Sequence, residues 1–153
     1  INDDFERHII TVEDPIEFTY QSEKCLVNQR ELGVHPHSFA NAVRAVLRED
    51  PDIILVGEMR DLETIQPAIT AAETGHLVFA TLHSPGAAQT VDRIVDVFPA
   101  ARRAQIRTQF ADSIEAIITQ TLYKKKAGGR AAALEILVTT PAVRNLIREG
   151  KVH

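Results

Sequence analysis

Cysteine, tryptophan and long apolar runs are scarce or missing in this sequence. Cys25 is the only cysteine, which excludes internal disulfides and zinc sites built from several thiolates, and we expect it to be a buried small hydrophobe. No apolar run approaches the roughly 20 residues that cross a bilayer. Residues 1–7 are acidic and polar, unlike a signal peptide. We therefore expect a cytoplasmic protein without direct membrane insertion.

An excess of positive charge is also missing. The formal net charge is −4, so the chain has no bulk positive field for phosphodiester backbones, and we expect no nucleic-acid partner. The rest of the composition is ordinary: 153 residues with 44% hydrophobic and 25% charged predict a folded domain with one compact core. The first residue is Ile1 rather than Met, and an apolar stretch begins at His8. From this we expect a fragment of a longer protein.

The hydrophobic pattern predicts strands that alternate with helices. Short apolar runs predict strands at residues 8–12, 24–29, 53–56, 77–82 and 131–138. Apolar residues at helical spacing predict helices at residues 38–47, 61–75, 87–97, 101–122 and 141–149, with a kink or a late start at Pro67 in the second helix. This alternation indicates an α/β fold with a parallel sheet covered on both faces.

Charged residues follow three of the predicted strands, at the point where each strand ends. Glu13 and Asp14 follow the first strand, Glu58 and Arg60 follow the run 53–56, and His83 follows the run 77–82. In a parallel sheet these ends share one edge, where ligands bind, although acids and turn-forming residues are also common in ordinary loops. The run 53–56 with Glu58 has the form of a Walker B strand, whose acid can deprotonate a water beside a nucleotide. Alone, this pattern is a weak signal.

The phosphate-binding loop that usually accompanies a Walker B strand is absent from the 153 residues. Its pattern is Gly-x-x-x-x-Gly-Lys-Ser/Thr, and none of the seven glycines is followed by it. The acids at the sheet edge repel a triphosphate unless a lysine and magnesium neutralise it. We therefore expect this polypeptide alone to bind ATP weakly and to turn it over negligibly.

Three longer strings resemble the motifs of the secretion ATPase superfamily, in the same order. Residues 9–18 resemble its Asp box, residues 53–61 its Walker B region and residues 74–83 its His box. A fourth string resembles the signature of the PilT-like type IV pilus retraction ATPases, with Val at a position where Ile is usual; it consists of Ala142, Val143, Arg144, Asn145, Leu146, Ile147, Arg148 and Glu149. A chain with one cysteine also lacks the four-cysteine zinc insertion typical of assembly and type II secretion ATPases, which favours the retraction branch.

The resemblance implies a fold and an activity for the whole chain. It implies that residues 1–153 are a partial RecA-like P-loop ATPase domain, with a C-terminal helical portion at 101–153, and that the N-terminal domain and Walker A loop lie upstream. The intact protein would be a homohexamer that hydrolyses ATP with Mg²⁺. It would act in twitching motility at the cytoplasmic side of the inner membrane, as a peripheral part of the pilus machinery beside a platform protein.

The resemblance also implies roles for individual residues. Glu58 would be the general base, Glu13 would position the magnesium ion or its waters, and His83 would sense the γ-phosphate. Residues expected near ATP and magnesium are Asp14, Arg60 and His76. The magnesium ion would be held through the nucleotide and not by a direct protein cage.

Other functions remain open on the sequence alone. One is a nonhydrolytic truncated subunit or interaction module of a secretion or pilus ATPase, and another is a pilus assembly or type II secretion ATPase. A third is a metal-dependent hydrolase that uses Glu13, Glu58 and His83. The segment 35–37, with His at both ends, matches no common zinc spacing, and its central proline favours an exposed turn instead.

Overall fold

The chain divides into two compact units where one core was expected. The structure is a computed structural model that describes residues 1–32 and 39–151. The first unit is Ile1–Leu82 and the second is His83–His153. Within the described ranges, no helix is both long enough and apolar enough to span a bilayer.

A parallel sheet of four strands forms the centre of the first unit. Its strands are β1 (His8–Glu13), β2 (Leu26–Glu31), β3 (Ile53–Val56) and β4 (Leu77–Ala80), in the spatial order β2-β1-β3-β4. All three pairings are parallel, with Ile9 opposite Ile53 and Ile53 opposite Leu77. The predicted α/β class with a mostly parallel sheet is confirmed.

Two helices connect the strands of the first unit. Helix α1 spans Phe39–Val46 and contacts β1, and helix α2 spans Leu62–Glu73 and contacts β4. Asp61 caps α2, because its carboxylate accepts a hydrogen bond from the Thr64 backbone N–H at 3.0 Å. Pro67 lies inside this continuous helix, so the late start that we considered is wrong.

Burial differs between the central strand and the edge strand. Ile10 and Val12 on one face of β1 are fully buried, and Thr11 on the other face is 1% exposed. Cys25 is also buried, as expected. The edge strand β4 instead exposes Leu77 and Phe79. Strand β1 is therefore covered on both faces, whereas β4 has an uncovered apolar face in this structure.

The second unit combines three helices with a β-hairpin. Its elements are α3 (Ala87–Asp96), α4 (Ala100–Ser113), β5 (Ala116–Lys124), β6 (Arg130–Val138) and α5 (Pro141–Glu149). Strands β5 and β6 pair antiparallel, α3 contacts both of them, and α4 packs against α5. Gly150 ends α5 in the left-handed conformation, with φ +68°, as the position of this glycine after the predicted helix suggests.

The predicted long helix at 101–122 is wrong beyond Ser113. Helix α4 ends there, Ile114 is extended, and Ala116–Lys124 is a strand paired with β6. Ile117 and Thr119 are buried while Ile118 is exposed, which is the alternation of a strand. The description of residues 101–153 as a helical portion is therefore wrong for the hairpin. Isoleucine and threonine are β-branched and favour strands, and the antiparallel partner satisfies the backbone.

Candidate functional site

The ends of β1 and β3 touch at one edge of the first unit's sheet, which we call the carboxyl edge. The Gly57 backbone N–H donates to the Val12 carbonyl at 2.8 Å. A Cβ atom at Gly57 would lie 3.1 Å from Glu13 Cα and 3.1 Å from the Val12 carbonyl oxygen. Glu13 and Glu58 are therefore held on adjacent strand ends by a backbone contact that only glycine permits without displacement.

The end of β4 is tied to the same edge by Thr81. The Met59 N–H donates to the Thr81 carbonyl at 2.9 Å, and the Thr81 N–H donates to the Val56 carbonyl at 3.3 Å. The Thr81 hydroxyl also donates to the Gly57 carbonyl. The segment that carries Glu58 is thus held from one side by β1 and from the other by the residues that follow β4.

The Glu13 carboxylate is held by two side chains that sequence reasoning missed. Thr11 Oγ1 donates to Glu13 Oε1 at 2.6 Å, and Gln29 Nε2 donates to the same oxygen at 3.0 Å. Residues 11 and 13 share a face of β1 by strand alternation, so Thr11 could have been found from its spacing. Gln29 could not, because its position beside Thr11 depends on the pairing of β1 with β2.

Arg60 is the cation at the carboxyl edge that pairs with Glu58. Its Nη2 lies 2.6 Å from Glu58 Oε2. The hydrogen bond to Glu58 and the charge of Glu58 raise the pKa of Arg60; burial acts in the opposite direction, and the charge of Asp14 adds to the rise. Asp14 is therefore close enough to act on Arg60. The structure brings four predicted site residues to this edge: Glu13, Asp14, Glu58 and Arg60.

His76 lies away from the other residues expected near ATP. His76 precedes β4, and Leu77 pairs with Ile53 at the start of β3, so His76 lies at the amino-terminal edge of the sheet. Its Nδ1 lies 3.0 Å from the Ala71 carbonyl and 3.1 Å from Thr74 Oγ1, at the end of α2. Glu58 follows the opposite end of the same strand pair. His76 is therefore held at the end of α2, and its expected position near ATP remains a prediction.

Of the other histidines considered from the sequence, one lies in the second unit and two lie outside the described residues. His83 begins the second unit, where its carbonyl accepts a hydrogen bond from Arg93. Its role at the γ-phosphate remains a prediction. His35 and His37, at the two ends of the segment 35–37, lie outside the described residues. Among residues 1–32 and 39–151, no group of three or more His, Cys, Asp or Glu side chains is arranged to hold a metal ion.

Comparison with known proteins agrees with the motifs. The family model described as "Type II/IV secretion system protein" matches residues 1–153. The chain belongs to this family. The resemblance stated from the three motifs is thereby confirmed, together with the expected RecA-like α/β core.

Two relatives and one solved structure define the place of the chain within the Type II/IV secretion system family. The type IV pilus retractation ATPase PilT of Pseudomonas aeruginosa is 63% identical over 145 residues, covering 95% of this chain and 42% of that protein. A twitching motility protein of Neisseria gonorrhoeae is 62% identical over 153 residues, covering 99% of this chain and 41% of that protein. The crystal structure of the pilus retraction motor PilT with bound ADP matches with a TM-score of 0.93 and 54% identity, covering 99% of this chain and 44% of that chain. The chain thus spans less than half the length of these proteins.

The signature string 142–149 of this family member forms most of helix α5. Arg144 donates to the carbonyls of Ala111 and Asp112 at 2.7 and 2.8 Å, and to Glu115 Oε1 at 2.9 Å. The last carbonyls of a helix lack partners within the helix, so Arg144 caps the C-terminus of α4. Ile147 is buried, and Arg148 pairs with Asp112. One face of the signature helix therefore fixes α5 to α4.

Replacing Arg144 with Ala should lower the free energy of unfolding by about 1–3 kcal/mol, because two helix carbonyls and Glu115 lose a donor that is only 20% exposed. Arg144→Lys should recover only part of this loss, since an ammonium group cannot reproduce the planar set of donors. Urea unfolding followed by circular dichroism measures both variants. Arg130→Ala, at an exposed arginine, is the control and should change the midpoint little. Equal midpoints for all three variants would contradict the capping role.

Proposed function

We propose that this chain is the ATP-hydrolysing part of a motor subunit that drives type IV pilus retraction, and hence twitching motility. The contact of Gly57 with Val12 and Glu13 carries the proposal, because it brings the acids of two motifs to one edge of a rigid sheet. Ligands of open parallel sheets bind outside this edge. The identities of 63% to a pilus retractation ATPase and 62% to a twitching motility protein support retraction of the pilus over its assembly.

Glu58 is the general base in this proposal. It lies two residues beyond β3, so the strand fixes where its carboxylate can reach. Arg60 donates a hydrogen bond to Glu58 Oε2 at 2.6 Å, which helps to fix the orientation of this carboxylate. An arginine keeps its proton at neutral pH, so Arg60 remains a cation beside the proposed base. His83 is assigned to the γ-phosphate from the resemblance of the His box.

Magnesium fits the carboxyl edge as a companion of the nucleotide. Glu13 and Asp14 supply the carboxylate oxygens that this hard cation prefers, and they would hold it through its waters. Magnesium supplies charge neutralisation on the phosphate oxygens during phosphoryl transfer. In this proposal, Glu13 and Asp14 would hold and orient the magnesium ion through its waters, and Glu58 would remove the proton from the attacking water.

The assembly and location follow from the same proposal. The motor is a homohexamer that lies in the cytoplasm, peripheral to the inner membrane, and acts on a platform protein of the pilus machinery. The resemblance to retraction ATPases supports these statements, as does the similarity to a type IV pilus retractation ATPase and to a twitching motility protein.

Two measurements test the function and its direction. The full-length protein in which this sequence occurs should release phosphate from ATP in the presence of Mg²⁺. Deleting its gene should leave pili on the cell surface while abolishing their shortening, because assembly continues without retraction. Loss of all surface pili would instead identify an assembly motor. Surface pili that still shorten, with no ATP turnover by the purified protein, would support a nonhydrolytic subunit.

The 153-residue polypeptide by itself should hydrolyse ATP negligibly. It contains three acids at the carboxyl edge and no glycine-lysine loop to neutralise the phosphates. Phosphate release by the purified polypeptide should equal that of its Glu58→Gln variant, at the background of the assay. Phosphate release above that background, lost in Glu58→Gln, would contradict the prediction.

A further inference from the structure

We propose that Thr11 and Gln29 are positioning residues that set the orientation of the Glu13 carboxylate. This inference rests on the role proposed above for Glu13. Both hydrogen bonds end on Oε1, at 2.6 Å from Thr11 and 3.0 Å from Gln29. Neither bond uses Oε2. Two fixed donors on one oxygen restrict rotation of the carboxylate and reserve the other oxygen for magnesium-bound water.

Thr11 is placed by the sheet itself. It lies two residues before Glu13 on the same face of β1 and is 1% exposed. Strand β1 has neighbours on both sides, β2 and β3, so its backbone cannot shift without breaking two ladders. A buried hydroxyl needs a hydrogen-bond partner, and that of Thr11 donates to the Glu13 carboxylate. The donor is therefore fixed in position before any nucleotide arrives.

Gln29 connects the carboxylate to the last residue of the Asp box and to the loop that follows it. It pairs with Thr11 in the ladder between β1 and β2, which places it beside both Thr11 and Glu13. Its Nε2 donates to the Phe18 carbonyl at 2.8 Å as well as to Glu13, and its Oε1 accepts from the Tyr20 N–H at 2.6 Å. Both amide hydrogens are thus used. The side chain is held at three points and cannot rotate away from Glu13 alone.

The chemical consequence is preorganisation. If the carboxylate had to be ordered during each turnover, the reaction would be slower. A carboxylate that is held by outer partners already has the orientation that the cation needs when it binds. Removing the outer partners of metal-holding groups typically costs about 10- to 100-fold in metal affinity or activity. We expect this range for loss of the Thr11 hydroxyl or the Gln29 amide.

The experiment uses five variants of the full-length protein: Thr11→Val, Thr11→Ser, Gln29→Leu, Asn28→Leu and Glu13→Gln. Thr11→Val keeps the shape and removes the hydroxyl, and Thr11→Ser keeps the hydroxyl. Asn28 is exposed on the opposite face of β2, where its Nδ2 lies 3.0 Å from His8 Nε2 and away from Glu13, so Asn28→Leu removes an amide hydrogen bond outside the site and is the control for Gln29→Leu. The readouts are kcat and KM for ATP, the affinity for a fluorescent ATP analogue with and without Mg²⁺, and the melting temperature.

Thr11→Val and Gln29→Leu should lower kcat by roughly 10- to 100-fold and should reduce the gain in analogue affinity that Mg²⁺ produces. Their affinity for the analogue without Mg²⁺ should match that of the wild type. Thr11→Ser and Asn28→Leu should resemble the wild type in all readouts.

Two outcomes would overturn the whole proposal, and a third would overturn its Thr11 part. If Glu13→Gln is inactive while Thr11→Val and Gln29→Leu turn over normally, Glu13 keeps its role and the positioning inference fails. If Glu13→Gln is itself fully active, the role of Glu13 fails and the inference fails with it. If Thr11→Ser loses as much activity and melting temperature as Thr11→Val, Thr11 acts through packing. In that case Gln29→Leu against Asn28→Leu still tests the second donor.

Discussion

Glu58→Gln in the full-length protein should reduce ATP turnover by at least about 100-fold, with ATP affinity nearly unchanged. General-base catalysis contributes about 10²- to 10⁴-fold, and an amide cannot accept the proton of water at this position. The amide oxygen can still accept the hydrogen bond that Arg60 gives to Glu58 at 2.6 Å, so the local structure should persist. Phosphate release and binding of a fluorescent ATP analogue measure the two quantities separately.

Glu63→Gln provides the matched control for this substitution. Glu63 is an exposed residue in the first turn of α2, only five positions further along the chain. The same loss of one carboxylate there should leave turnover within about twofold, since surface substitutions away from a site have small effects. Turnover by Glu58→Gln at the wild-type rate would remove Glu58 from the role of base. Loss of analogue binding in Glu58→Gln would show instead that Glu58 helps to hold the nucleotide.

The sheet and its carboxyl edge could be predicted from the sequence because two simple rules apply to them. Short apolar runs gave the four strands, and parallel strands place all their following residues at one edge. These rules predicted the meeting of Glu13 with Glu58, which the structure shows on adjacent strand ends. The same rule places His76 at the other edge of the sheet, because this residue precedes its strand instead of following it.

The errors arose where local pattern and tertiary pairing disagree. Ile114, Ile117 and Ile118 fit a helical stripe that continues from Phe110, yet the chain leaves the helix after Ser113 and pairs with β6. A short isoleucine run suits either element, and only the distant partner strand decides between them. Gln29 beside Glu13 likewise depends on the register of β1 with β2. The same limit applies to Arg144, whose acceptors are 32 and 33 residues away.

Because Gly57 has no side chain, the ends of β1 and β3 can approach each other and place the two proposed acids side by side. It is not among the glycines with positive φ, so its backbone conformation is open to any residue. What it lacks is space: a Cβ would stand 3.1 Å from both Glu13 Cα and the Val12 carbonyl oxygen, closer than the roughly 3.5–4.0 Å of ordinary carbon contacts. Both neighbours are backbone atoms of the central strand, so they cannot rotate away.

Gly57→Ala should therefore separate the ends of β1 and β3 and weaken the 2.8 Å hydrogen bond from Gly57 to Val12. Overpacking of this kind costs about 1–3 kcal/mol of unfolding free energy. Since displacement of reacting groups by about 1 Å can cost about 100-fold in rate, turnover of the full-length protein should fall by roughly 10- to 100-fold. Urea unfolding and phosphate release measure the two effects.

Gly86→Ala is the control for Gly57→Ala, because it is the same substitution at a position where the neighbouring side chain can move. Gly86 has an extended backbone with φ −169°, and a Cβ there would meet the end of the flexible Gln89 side chain. Its cost in stability should be about 0.5–1 kcal/mol, because alanine is a weaker N-cap than glycine, but no strand backbone is displaced and turnover should not change. If Gly57→Ala is as stable and active as Gly86→Ala, the contact between the two strand ends does not set the distance between Glu13 and Glu58. The ladder between β1 and β3, together with Thr81 on the side of β4, would then maintain the juxtaposition of the two acids.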